Sequence, residues 1–76
     1  MHDVYLRLFL LRNRKVFEVT FDNRMSFSDN LKMISKLENE ISNDFKVFDN
    51  DIGVFVNTKI PLSELNLERF TMFYLL

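Results

Sequence analysis

Few side chains in this 76-residue chain could do chemistry, and their types and spacing argue against it. His2 is the sole histidine. Near a terminus it has no second imidazole with which to share a metal and no neighbouring serine to activate, so it reads as a solvated end residue. Asp49-Asn50-Asp51 has two of the oxygens a calcium loop needs, but the glycine and the distal glutamate that complete such a shell are missing, and a plain turn fits it better. Glu38 and Glu40 stand two apart, a separation that points side chains in different directions on a helix, so they read as solvated charges. One glycine cannot build a phosphate cradle, and the absence of cysteine removes thiolate nucleophiles, thiolate zinc sites and disulfides. No catalytic residue, cofactor site or metal site is expected, and the chain reads as a non-enzyme.

Composition narrows the remaining classes. The length suits a single domain over 1–76, and a domain this small buries only about 60% of the surface its unfolded chain exposes. Hydrophobic residues make up 47% of the chain and nine are Phe, which supplies enough large side chains to order it without disulfides. Ten basic residues against eleven acidic ones leave a net charge of -1, without the positive excess that drives nucleic-acid binding. The longest apolar runs, Phe9-Leu10-Leu11 and Met72 to Leu76, fall far short of the ~20 residues of a membrane helix. Met1-His2-Asp3 lacks the basic start of a signal peptide, so a cytoplasmic address is expected.

The elements that would position any binding surface follow from periodicity. Val4 to Leu11 alternates, with Val4, Leu6, Leu8 and Leu10 on one side and Tyr5, Arg7, Phe9 and Leu11 on the other, the pattern of a strand. Arg12 to Lys15 is a polar break of hairpin length, with Asn13 the residue best suited to positive φ. Val16 to Phe21 then resumes the alternation, placing Phe17, Val19 and Phe21 toward a core and Glu18 and Thr20 toward water. Ser26 with Asp29 three residues on forms a helix start, and Phe27, Leu31, Met33, Ile34, Leu37 and Ile41 fall within an arc of about 160°, which predicts a helix from Phe27 to Ile41 with that face buried. Short strands are predicted at Phe45 to Phe48 and Ile52 to Val56, a compact turn at Leu62 to Leu67 after Pro61, and a closing strand at Phe70 to Leu76.

The order strand, strand, helix, strand, strand, strand resembles the β-grasp fold of ubiquitin, and Leu62-Ser63-Glu64-Leu65-Asn66-Leu67 ahead of the last strand is similar to the Leu-Ser-Asp-Tyr-Asn-Ile segment of ubiquitin. The resemblance implies an α+β ubiquitin-like fold, a mixed sheet of four to five strands with one helix packed across it. The end, Tyr74-Leu75-Leu76, departs from the Gly-Gly tail of conjugated modifiers, so covalent attachment and sulfur carriage are not expected. In size and layout, and in ending with the final strand without Gly-Gly, the chain resembles the YukD/EsaB family of small cytoplasmic proteins associated with bacterial type VII secretion, and its Asn-rich, Gly-poor composition would suit an AT-rich bacterial genome. That resemblance implies an accessory or regulatory role on a secretion complex.

A β-grasp sheet packs one face on its helix and leaves the other to solvent, so the outward phase of the strands is the candidate surface. It carries Tyr5, Phe9, Phe48, Met72 and Tyr74, rimmed by Arg7 and Lys46, a set that suits an acidic or amphipathic protein partner. Two other readings stand beside it: a modifier or carrier joined through its C-terminus, and a homodimer that buries the aromatic face.

Overall fold

A computed structural model describes residues 2–65, 67 and 72–76. Strands β1 (Asp3–Leu10) and β2 (Lys15–Asp22) form an antiparallel hairpin in which Asp3 pairs with Asp22 and Leu10 with Lys15. The register keeps the phases aligned: Leu6, Leu8, Leu10 and Phe21 are buried and Phe17 and Val19 half-buried on one face, while Glu18 and Thr20 are exposed on the other. Positive φ falls on Arg14 (φ 55) and not on Asn13; the left-handed residue is the last of the loop, where the chain must turn into β2.

After β2 comes helix α1 (Phe27–Ile34), then β3 (Val47–Asp49), β4 (Val54–Phe55), a 3₁₀ turn (Leu62–Glu64) and β5 (Met72–Leu75). The five strands lie in the order β2-β1-β5-β3-β4, with β5 parallel to β1 and every other pairing antiparallel. This is the mixed five-stranded sheet with a helix across it that the sequence predicts. Lys46 and Leu76 exchange backbone hydrogen bonds of 3.1 and 2.9 Å and so carry the β3–β5 ladder one residue further. The predicted closing strand is present from Met72 to Leu75; Phe70 and Thr71 lie outside the described residues, as does Asn66 of the predicted turn.

The helix enters as expected and stops early. The Ser26 hydroxyl accepts a hydrogen bond from the Asp29 N–H at 3.1 Å, capping the first turn. Phe27 and Leu31 are fully buried, with the Phe27 ring 5.4 Å from Phe21 and 4.9 Å from Phe73, both edge-on. The predicted continuation to Ile41 is corrected: after Ile34 three-residue bonds appear, Lys36 to Met33 and Leu37 to Ile34, the Ile34 carbonyl is shared between Leu37 and Glu38, and the Ser35 hydroxyl donates to the Lys32 carbonyl at 2.7 Å. Glu38 and Glu40 would set carboxylates at the negative end of a longer helix, an unfavourable placement, and Glu40 instead pairs with Lys15 at 2.8 Å. Leu37, predicted to be buried, therefore lies past the helix and is 84% exposed; Met33, also predicted to be buried, is 55% exposed within α1, turned away from buried Leu31 two positions before it, whereas Ile41 still reaches the core through the turns.

Asn30 locks the helix to the hairpin. It is buried, its Oδ1 accepts from the Asp22 N–H at 2.9 Å, and its Nδ2 donates to the carbonyls of Asp22 (3.0 Å) and Ser26 (2.9 Å). Beside it the Asp22 carboxylate accepts from the backbone N–H, Nε and Nη2 of Arg24. Those bonds hold the Asp22 carboxyl at about 2, down from 3.8. Among the described residues no helix is long and apolar enough to cross a membrane.

Two outcomes follow from this packing. In urea unfolding, Phe27→Ala is expected to cost about 3–5 kcal/mol, while Leu37→Asn changes stability by less than about 0.5 kcal/mol. Because the folded pKa of Asp22 is depressed, its stabilising effect is complete above 3.8 and is lost as pH falls toward 2. Asp22→Asn should flatten the stability-versus-pH curve across that window, and added salt should shrink the difference.

Candidate protein-binding face

The seven residues predicted to form a surface all lie on the helix-free face of the sheet. Tyr5, Arg7 and Phe9 alternate with buried Leu6, Leu8 and Leu10 on β1, Met72 and Tyr74 alternate with buried Phe73 and Leu75 on β5, and Phe48 and Lys46 flank buried Val47. Register then decides which of them meet. Phe9 pairs with Tyr74, Tyr74 with Phe48, and Phe48 with Phe55, so four rings stand in one line across β1, β5, β3 and β4. Ring centroids are 5.4 Å apart for Phe9 and Tyr74, 6.4 Å for Tyr74 and Phe48, and 5.2 Å for Phe48 and Phe55. Val16 of β2, the partner of Phe9, extends the line to the far strand.

Each inner ring is shaded by its neighbours, which leaves Phe9, Phe48 and Tyr74 half-buried with no second layer over them among the described residues. The two ends are more open, with Val16 52% and Phe55 60% exposed. Ring pairs at these separations contribute roughly 0.5–1.5 kcal/mol each, so the row stiffens the sheet while its upper surface stays available.

The remaining predicted residues sit around the row. Arg7 lies between Glu18 and Met72 in register, so the basic rim expected there faces a carboxylate position on β2. Tyr5 stands four residues along β1 from Phe9, opposite Thr20. Lys46 is exposed at the other end, where a groove of about 510 Å³ opens between Phe45, Lys46, Phe55 and Lys59, with Asp44 also on its wall. Positive charge therefore gathers at this end of the face.

Sequence reasoning missed Phe55 and Val16. Val16 was implicit in the alternation of its strand. Phe55 depends on the turn that joins β3 to β4: the Asp49 carboxylate accepts from the N–H groups of Asp51 (2.9 Å) and Ile52 (3.4 Å), and Gly53 takes φ +70. That Asx-type turn fixes the register, and it uses the Asp49 carboxylate in backbone capping. The lone glycine is needed here, since an L side chain is strained at that φ.

Comparison with known proteins agrees with the architecture. The chain matches no protein-family model and no curated protein sequence. Among solved structures it is similar to a designed protein based on ubiquitin, with a TM-score of 0.75, 10% identity, and coverage of 99% of this chain and 88% of that one. It is also similar to the ubiquitin-like domain of an Arabidopsis thaliana protein, with a TM-score of 0.76, 15% identity, and coverage of 100% of this chain and 78% of that one. The fold is ubiquitin-like; identities this low reach no further.

Phe55→Thr, which removes one ring pair of the row, should lower the urea midpoint by the equivalent of about 0.5–1.5 kcal/mol, against about 3–5 kcal/mol for Phe73→Ala on the opposite face of the same sheet.

Proposed function

We propose that this chain is a non-catalytic protein-binding module whose contact surface is the helix-free sheet face, centred on Phe9, Tyr74, Phe48 and Phe55. The observation that carries the reading is the four-ring row itself, aligned by register over four strands and left uncovered by any part of the described chain. Interface centres are enriched in such aromatic anchors, and a rigid sheet presents them with little entropy left to lose. The exposed Lys46 and Lys59 near Phe55 favour a partner that brings an apolar strip with acidic residues at one end. A near-neutral chain of this charge is poorly suited to nucleic acid.

A narrower version makes the partner a component of a bacterial type VII secretion complex and the site of action the cytoplasm. It rests on likeness of size and layout to YukD/EsaB proteins, and the solved structures compared here lend support to the fold alone. Retention of the partner from extracts of the native host tests both versions. Phe48→Asp with Tyr74→Asp should lower partner recovery by roughly 30-fold or more, the effect of losing at least one hot spot, while circular dichroism keeps the native spectrum. Undiminished recovery by the folded double variant would contradict the proposed surface, and a partner outside any secretion complex would remove the narrower version only.

A further inference from the structure

We propose that β4 is a self-pairing edge, along which two copies of the chain join antiparallel about a two-fold axis through Phe55 and merge their sheets into one. An edge strand presents open backbone groups, and natural proteins blunt such edges with charge, proline or a cover. The two edges of this sheet differ in that respect. The β2 edge carries Lys15, Glu18 and Asp22, whereas Ile52 to Val56 contains neither charge nor proline. Ile52 is 70%, Val54 49% and Phe55 60% exposed, so the β4 edge is apolar on both faces of the sheet.

Backbone parity selects the axis. The Val56 N–H donates to the Val47 carbonyl at 2.8 Å, so the backbone groups of Val56 face β3 and those of Phe55, one residue earlier, face away from it, where none of the described residues pairs with them. A two-fold through Phe55 sets the two Phe55 residues opposite each other, where they exchange both hydrogen bonds. It also keeps outward side chains opposite outward ones, which sets Val54 beside the other copy's Val56 and continues the aromatic row across the axis.

Charge agrees with the same register. Asp51 stands four residues before Phe55, in the turn from β3, and Lys59 four residues after it, in the turn that follows β4, and both are exposed. Antiparallel pairing turns the Asp51 end of one copy toward the Lys59 end of the other, twice. On β2 the corresponding arrangement about Glu18 would oppose two carboxylates. The pairing strand is only two residues long, Val54–Phe55, so the contact is small and the dimer weak, with a dissociation constant on the order of 0.1 mM.

Sedimentation equilibrium of the full chain from about 10 µM to about 1 mM spans that constant. The weight-average mass should climb from 9.2 kDa toward twice that value. Val54→Lys, on the opposite face from the aromatic row, should hold the mass at 9.2 kDa without altering partner retention on the row, which separates this proposal from the one before it. Lys59→Asp should weaken the dimer several-fold, and Asp51→Lys with Lys59→Asp should restore it; both sites are exposed, so these variants keep the test usable even if Val54→Lys does not fold. A mass of 9.2 kDa at every concentration, association that survives Val54→Lys in a folded protein, or a charge-swapped double variant that stays dispersed would each overturn the proposal.

Discussion

Phe27 is the contact on which the rest of the structure depends. Its ring is edge-on to Phe21 of β2 and to Phe73 of β5, the two strands that flank β1, so one side chain on the helix fixes three adjacent strands. Edge-to-face geometry suits the ring quadrupoles, and full burial of all three rings removes a large apolar area from water. The polar counterpart is Asn30, one helical turn on, whose buried amide fastens the end of β2 to the start of the helix with every side-chain group satisfied. Apolar contact sets where the helix lies, and the amide sets its register against the hairpin.

Placing the helix on one face decides the character of the other. Strand alternation gives the sheet two sides, and the core requirement claims Leu6, Leu8, Leu10, Phe73 and Leu75 for the covered one. The residues between them are free of that requirement, yet they include Phe9, Tyr74 and Phe48. A solvent-facing sheet surface in a small domain is ordinarily polar, as it is at Glu18 and Thr20 of β2. The departure from that pattern is concentrated along one register line, with Tyr5 and Met72 beside it, and the proposed contact surface rests on that clustering.

Much of this was legible in the sequence because period-two alternation is a strong signal wherever one face is buried. The phase of β1, β2, β3 and β5 read correctly, and with it the outward position of all seven candidate residues. Boundaries set by competing local bonds were not legible in the same way. The apolar arc that ran on to Leu37 and Ile41 has the right period for a helix, but Ser35 turning onto the Lys32 carbonyl and two carboxylates at the C-terminal end stop it at Ile34. Nothing in the sequence around Asn30 announces the four backbone groups that its amide meets. Phe55 joined the row only through the register of a four-residue connection held by Asp49 and Gly53, and register is a property that alternation alone leaves open.

The most direct test of the proposed surface is carbene footprinting of the chain in an extract of its native host, compared with the purified protein. Labelling is predicted to fall together at Phe9, Phe48, Phe55 and Tyr74 while the exposed helix-side residues Met33 and Leu37 label equally in both samples. Protection confined to Met33 and Leu37, with the aromatic row labelled as freely as in isolation, would contradict the assignment of the helix-free face as the binding surface.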